Sequence, residues 1–103
     1  MSNDQSPQLS GDLNQCAMSG QVSGEVKVFT NNGGEAVRVK FALTQMGDNN
    51  TQQRFTVECV IPQAIEPAKS LRDGQRAMAM GKVYNRSGVM VLRAYVVYKI
   101  ESQ

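Results

Sequence analysis

The chain has 103 residues, of which 41% are hydrophobic and 19% are charged, and its formal net charge is +2. This length corresponds to about one domain of roughly 100–200 residues. No stretch approaches the ~20 consecutive apolar residues of a membrane span, and no secretory signal pattern is present. We therefore expect a small cytoplasmic protein rather than a membrane, exported or multidomain protein.

The absence of histidine excludes most catalytic and metal-binding constellations. No Ser–His, Cys–His or His–metal site can form without it. The carboxylates stand singly in an alternating polar pattern, with no apolar surroundings that would raise their pKa. We predict that the protein is not an enzyme and uses no metal and no cofactor.

The two cysteines, Cys16 and Cys59, lie far apart and in no CxxC motif. A disulfide between them is formally possible, but a cytosolic chain favours two reduced thiols, at least one of them in the core.

Residues 1–14 differ in composition from the rest of the chain. They are rich in Ser, Asn, Asp, Gln, Pro and Gly and hold two acids and no base. Because such a segment buries too little apolar area to offset its ordering, we predict a flexible N-terminal arm, followed by a domain over residues 15–101. Beyond the arm the chain holds eleven bases and seven acids, a surplus that favours polyanionic partners.

Alternating apolar and polar residues predict the first three strands. The first runs from Met18 to Val28, and its glycines Gly20 and Gly24 indicate a sharp bend. A tight reversal at Asn31–Gly34 leads into the second strand, and the loop 46–52 separates that strand from the third. The side chains expected to face the core are Val37, Val39, Phe41 and Leu43 of the second strand and Phe55, Val57, Cys59 and Ile61 of the third.

The segment Pro62–Gly74 predicts one short helix, because Ile65, Ala68 and Leu71 are spaced by three. We expect Pro67 in its first turn and Gly74 at its end. The fourth strand follows at Arg76–Asn85, and a turn at residues 86–88 leads into the fifth strand, Val89–Ile100. Its expected core-facing residues are Met90, Leu92, Ala94, Val96, Tyr98 and Ile100.

The predicted order is three strands, a short helix and two strands, an all-β arrangement. Five antiparallel strands leave exposed edges unless the sheet closes. A closed sheet with a helix between strands 3 and 4 is the five-stranded OB-fold barrel. Another small antiparallel sheet with a helix is the alternative, but the glycines of the first strand favour the barrel.

Short motifs follow one another in a characteristic order along the chain. They are N-x-apolar-x-apolar-S-G-x-V over Asn14–Val22, F-x-L within Val39–Leu43, the strand Arg54–Val60, L-x-x-G-x-x over Leu71–Arg76, and the closing segments Met90–Ala94 and Val97–Ile100. Together they resemble the bacterial single-stranded DNA-binding protein family, and most of all its primosomal replication protein N branch. The resemblance implies an OB fold that binds single-stranded DNA without catalysis, as a dimer or tetramer, during replication, recombination or replication restart.

Single strands are bound by cationic grooves and by aromatic rings on which bases stack. The candidate bases on the polar registers are Lys27, Arg38, Lys40, Arg54, Lys82 and Arg86, and the candidate aromatics are Phe29, Tyr84 and Tyr95. A half-buried sheet needs a polar outer face in any case, and the rings equally fit contact with a second subunit. Glu58 lies among these bases, where it would oppose a bound phosphate. Met78 and Met80, also on an outer register, fit a subunit interface.

The sequence thus predicts binding of single-stranded DNA through a basic groove with a few stacking aromatics, in a homodimer or homotetramer. RNA is an alternative ligand, and replication or recombination proteins are further partners to consider. The competing hypothesis is an OB-fold interaction or oligomerisation module that binds no nucleic acid.

Overall fold

The strands form a closed barrel in which every pairing is antiparallel except that between the third and last long strands, which is parallel. The computed structural model describes residues 14–101 and contains within them six strands and one α-helix. They are β1 (Cys16–Val22), β2 (Lys27–Thr30), β3 (Ala36–Met46), β4 (Gln52–Cys59), α1 (Pro62–Lys69), β5 (Arg76–Arg86) and β6 (Val89–Ile100), with a short 3-10 turn at Asp48–Asn50. The predicted flexible arm lies outside the described residues except for Asn14, whose side-chain amide donates to the Val83 carbonyl and accepts from the Val83 N–H.

The sheet closes on itself at the end of β1. Its strand order is β1-β5-β6-β4-β3-β2, and β1 also pairs with β3 through Gln21–Thr44 and Val22–Leu43. A Cβ atom at Gly20 would lie 2.5 Å from the Thr44 carbonyl oxygen, so glycine is what allows this close crossing. The all-β, five-stranded OB-type barrel is therefore confirmed.

The predicted first strand divides at residues 23–26 into β1 and β2, so the described residues contain one strand more than the five predicted. The helix predicted between strands 3 and 4 accordingly lies between β4 and β5. Gly24, within the interruption, has φ +85° and its N–H donates to Asp73. The break is the sharp bend expected from the glycines.

Side chains from every strand except β2, together with the helix, fill the barrel. The fully buried residues include Val22, Val39, Leu43, Val57, Cys59, Ala64, Ala68, Ala77, Ala79 and Leu92. Phe41 is buried as predicted, whereas Phe55 is half-buried on the same face. Both cysteines are free, with Cys59 in the core and Cys16 half-buried at its edge.

The helix differs from the prediction in the position of Pro67 and in its last residue. It begins at Pro62, whose missing N–H costs nothing in a first turn. Pro67, expected in the first turn, lies inside the helix, where it removes one hydrogen bond. The helix ends at Lys69, with Ser70 as its C-cap, and Gly74 (φ +92°) belongs to the turn that leads into β5. The early stop leaves Leu71 buried outside the helix.

A β-bulge changes the orientation of the last strand. Gly81 pairs with Ala94, but Met80 pairs with Val96, so Tyr95 is an extra residue on β6. Every side chain beyond it moves to the opposite face. The prediction that Tyr98 faces the core is therefore wrong: Tyr98 is 55% exposed, and Val97 is buried instead. Ile100 is exposed for the same reason.

Two further predicted inward residues, Val37 and Met90, are exposed. Val37 is the extra residue of a second bulge, because Phe29 pairs with Arg38 and Thr30 pairs with Ala36. Met90 is the second residue of β6, close to the turn that joins β5 and β6. At Met90 the strand extends past the core, so its inner face meets solvent. The turn itself uses Ser87 and Gly88, both with positive φ, as two-residue hairpins prefer.

Candidate nucleic-acid interface

One face of the sheet carries a row of charges that crosses five strands. Lys27 on β2 pairs with Lys40 on β3, Lys40 with Glu58 on β4, Glu58 with Arg93 on β6, and Arg93 with Lys82 on β5. Because paired residues lie on the same face of a sheet, four cations and one carboxylate form a continuous line across the outer surface of the barrel.

The remaining candidate residues extend this surface on either side of the row. Phe29 pairs with Arg38, two residues along β2 and β3 from the pair Lys27–Lys40. On β5, Lys82 is followed at alternate positions by Tyr84 and Arg86. Arg54 lies near the start of β4 on the same face, since the period of a strand is two. Tyr95 reaches the site differently, because it occupies the bulge. We call the whole surface the charged face; its members are Lys27, Phe29, Arg38, Lys40, Arg54, Glu58, Lys82, Tyr84, Arg86, Arg93 and Tyr95.

Glu58 is the centre of the charged face and is only 2% exposed. Arg86 forms a fork with its carboxylate, with Nη2 3.1 Å from Oε1 and Nη1 3.3 Å from Oε2. Arg93 donates to Oε1 from Nε (3.3 Å) and Nη2 (3.2 Å). Arg38 Nε lies 2.9 Å from Oε2, a charge contact whose N–H is not aligned for a hydrogen bond. One buried carboxylate therefore meets three guanidinium groups from three strands.

The arginines keep the carboxylate ionised. The hydrogen bonds from Arg86 lower the pKa of Glu58 below its ordinary value of 4.5, with help from the Arg93 hydrogen bond and the charges of Arg86 and Arg38. These effects outweigh burial, which acts in the opposite direction. The same contacts raise the pKa of Arg86. At neutral pH the cluster of Glu58, Arg38, Arg86 and Arg93 thus carries a net charge of +2.

Two aromatic rings hold the arginines from the side. The Cζ atom of Arg38 lies 4.8 Å from the centroid of the Phe29 ring, and that of Arg93 lies 5.2 Å from the centroid of the Tyr84 ring. Both distances are typical of cation–π contacts. Phe29 and Tyr84 are themselves exposed, which explains why these rings occur on a polar register: each one packs against a guanidinium group.

Two shallow pockets lie on either side of the Glu58 cluster. One, of about 140 Å³, is lined by Ser23, Glu25, Lys27, Lys40, Arg54 and Thr56 among others. The other, of about 160 Å³, is mainly apolar and is lined by Val60, Ile61, Lys82, Tyr84, Arg93 and Tyr95 among others. The first pocket gathers cations, and the second combines two tyrosine rings with two cations.

The structure brings the predicted bases and aromatics onto one face, and it adds two residues that the prediction did not include. Arg93 lies on the outer register of the last strand, so alternation alone would have found it. Glu58 was expected to oppose anions, but its partners Arg86 and Arg93 are 28 and 35 residues away. No local pattern reveals such pairs, because they depend on the parallel pairing of β4 with β6.

Residues 14–101 contain no helix with the length and apolarity of a membrane span. Within the same residues, no three His, Cys, Asp or Glu side chains come together as metal ligands would.

Comparison with known proteins gives matches at the level of structure only. Searches of family models and of curated proteins found no match. The single-stranded DNA-binding protein from Thermus aquaticus superposes with a TM-score of 0.74 at 21% identity, over 94% of this chain and 45% of that one. This chain thus spans less than half the length of the Thermus aquaticus protein.

Two shorter structures match over most of their own length. SSBb, the second single-stranded DNA-binding protein of Mycobacterium smegmatis, has a TM-score of 0.69 at 18% identity, over 84% of this chain and 87% of that one. The N-terminal domain of PriB from Thermoanaerobacter tencongensis, whose structure is dimeric, has a TM-score of 0.66 at 19% identity, over 86% and 98%. The predicted resemblance to single-stranded DNA-binding proteins and to primosomal replication protein N is thus confirmed as a shared fold.

Proposed function

We propose that this protein binds single-stranded DNA on its charged face, without catalysis, in replication, recombination or replication restart. The observation that carries the proposal is the row Lys27–Lys40–Glu58–Arg93–Lys82, which holds four cations in register across the barrel. The structural matches to single-stranded DNA-binding proteins and PriB support it.

The arrangement of the lysines in the row supports a ligand site rather than a set of stabilising surface charges. Lys27 and Lys40 lie directly opposite each other on adjacent strands, and like charges in that position destabilise a sheet. Among residues 14–101, no carboxylate forms an ion pair with Lys27, Lys40 or Lys82. A phosphate bound between the strands would relieve the repulsion.

The aromatic rings give the face a preference for unpaired bases. Tyr84 and Tyr95 line the mainly apolar pocket of about 160 Å³, and a base that stacks on an aromatic ring contributes ~1–3 kcal/mol. In a duplex the faces of the bases are already stacked on one another. Single strands therefore gain both phosphate and stacking contacts, whereas duplex DNA gains the phosphate contacts alone.

The test is fluorescence anisotropy with a labelled oligo-dT strand and a duplex of equal length. Affinity for the single strand should exceed that for the duplex, and log K should fall with log salt by ~0.7 for each phosphate neutralised. The double variant Lys40→Ala/Lys82→Ala should weaken binding and reduce this slope. The matched control is Lys69→Ala/Lys99→Ala, because it removes the same charge from residues that pair with Glu66 and Glu101.

An equal effect of both double variants would show that net charge alone attracts the strand. Failure of the wild-type protein to bind oligo-dT in dilute buffer would reject the function. A matched RNA strand in the same titration decides between DNA and RNA as the preferred ligand.

We also propose that the protein self-associates through a second surface. Beyond the bulge, the outer sides of β5 and β6 present apolar side chains, namely Met78, Met80, Val96, Tyr98 and Ile100. Tyr98 and Ile100 are exposed in the single chain, and exposed apolar patches mark interaction surfaces. The dimeric structure of the matching PriB domain supports a second copy as the occupant.

The two free cysteines bear on where the protein works, because they fit a reducing compartment such as the cytoplasm.

A further inference from the structure

We propose that Glu58 is a positioning residue that strengthens anion binding, because it fixes Arg38, Arg86 and Arg93 as one array for a backbone phosphate. The inference rests on the proposed function and assigns a new role within it. It also reverses the expectation that a carboxylate on this face opposes a bound phosphate.

Glu58 is buried where three strands bring their arginines together. Arg38, Arg86 and Arg93 come from β3, β5 and β6, and each lies within 3.3 Å of an oxygen of Glu58. Three guanidinium groups gathered in one place repel one another unless an opposite charge lies between them. Since the Glu58 carboxylate is nearly inaccessible to solvent, its function is to hold the arginines rather than to bind a ligand of its own.

The three arginines keep N–H donors that do not contact Glu58. A guanidinium group has five N–H donors, and the Glu58 contacts use only Nε of Arg38, Nη1 and Nη2 of Arg86, and Nε and Nη2 of Arg93. The three side chains remain 37–44% exposed. Outward N–H groups therefore remain for phosphate oxygens, for which paired guanidinium donors are well suited.

Two aromatic rings further restrict the arginine side chains. Phe29 packs against Arg38 and Tyr84 against Arg93, so two of the three guanidinium groups are held by a carboxylate and a ring together. Side chains that are already ordered lose less entropy when the ligand binds. Together with Glu58 the three arginines keep a net charge of +2, so the cluster still attracts an anion.

The positioning role and simple electrostatic attraction predict opposite effects of neutralising Glu58 on anion binding. Glu58→Gln raises the net charge of the protein by one, so electrostatic attraction alone predicts tighter binding of a polyanion. Loss of the positioning carboxylate predicts weaker binding. The control is Glu66→Gln, which makes the same charge change at an exposed position on α1, where Glu66 pairs with Lys69.

The experiment measures the affinity of each variant for labelled oligo-dT over a salt series, at a temperature where circular dichroism shows the variant to be folded. We expect Glu66→Gln to bind as tightly as the wild type or slightly more tightly. Glu58→Gln should bind roughly tenfold more weakly, the scale of one lost charge-assisted hydrogen bond, and its salt slope should decrease. Binding by Glu58→Gln as tight as that of Glu66→Gln overturns the inference.

A second variant covers the case in which Glu58→Gln does not fold. Arg93→Lys keeps the charge but loses the paired donors and the flat group over Tyr84; its control is Arg72→Lys, between α1 and β5. We expect a several-fold loss of affinity for Arg93→Lys only, and equal affinities overturn the inference. If the wild-type protein itself does not bind oligo-dT, both the function and the inference fail. If the wild type binds and the variants bind equally well, only the inference fails.

Discussion

Glu58 and Arg93 lie directly opposite each other across the parallel pairing of β4 and β6, and Arg93 Nη2 is 3.2 Å from Glu58 Oε1. Arg86, from the strand beyond β6, completes the contact with a two-donor fork. A carboxylate this deeply buried is stable in its charged form only while these partners hold it. The folded barrel is therefore more stable when Glu58 is ionised.

The first prediction concerns pH. Because the folded state lowers the pKa of Glu58 below 4.5, its contribution is fully present above that pH and disappears as the pH falls through the lower folded-state pKa. The free energy of unfolding of the wild type should decrease in this acid window, and that of Glu58→Gln should decrease less. Urea titrations at about pH 7, 4.5 and 3 measure the difference. Parallel pH profiles for the two proteins would contradict the prediction.

The second prediction concerns the bulge at Gly81. A Cβ atom there would overlap the Arg93 carbonyl oxygen and lie 2.7 Å from Ala94 Cα. Because both neighbours are backbone atoms, the strands must move apart. We expect Gly81→Ala to destabilise the protein by about 3 kcal/mol or to prevent folding. In the control Gly33→Ala, the new Cβ would meet its nearest neighbour, Asn31 Oδ1, at 3.5 Å, so a similar loss in both variants would exclude the steric explanation.

The bulge also explains where prediction of the fold from sequence stops. Alternation identified the strands, and it put Leu92 and Ala94 on the buried face correctly. It failed beyond Tyr95, because one extra residue reverses all later orientations. Gly81 is the only local sign of the bulge, and a glycine within a strand is equally typical of a simple bend.

For the charged face, alternation predicted which side chains point outward, but it did not predict which of them contact one another. Lys82 and Tyr84 lie on the outer register, as expected from their positions on a half-buried strand. The ring of Tyr84 packs against Arg93 rather than standing alone, and Glu58 binds arginines that are distant in sequence. Such contacts depend on strand order, which a local pattern does not contain.

The third prediction separates the two proposed surfaces by means of two tyrosines. Tyr84 lies on the charged face and lines the apolar pocket, whereas Tyr98 lies on the apolar surface beyond the bulge. Tyr84→Ala should weaken binding of oligo-dT by ~1–3 kcal/mol and leave the molecular mass in solution unchanged. Tyr98→Ala should lower the mass measured by light scattering at a given concentration and leave the intrinsic affinity per site unchanged.

Each tyrosine variant thus controls for the other, and Tyr84→Phe adds a test of the ring itself. Because phenylalanine keeps the aromatic ring that packs against Arg93 and that would stack on a base, this variant should bind nearly as well as the wild type. Loss of DNA binding in Tyr98→Ala together with unchanged binding in Tyr84→Ala would exchange the roles of the two surfaces.

The last prediction concerns the two thiols. Burial, with a smaller effect from the adjacent Glu58 charge, raises the pKa of Cys59 to about 12, and its side chain is inaccessible to solvent. Only about one in ten thousand Cys59 side chains is a thiolate at about pH 8, and the thiolate is the reactive form. Iodoacetamide should therefore modify Cys16, which is half-buried, and spare Cys59 until urea unfolds the barrel. In Cys16→Ala the folded protein should take up no label, and peptide mass spectrometry that finds Cys59 modified before unfolding would show that the barrel opens in native buffer.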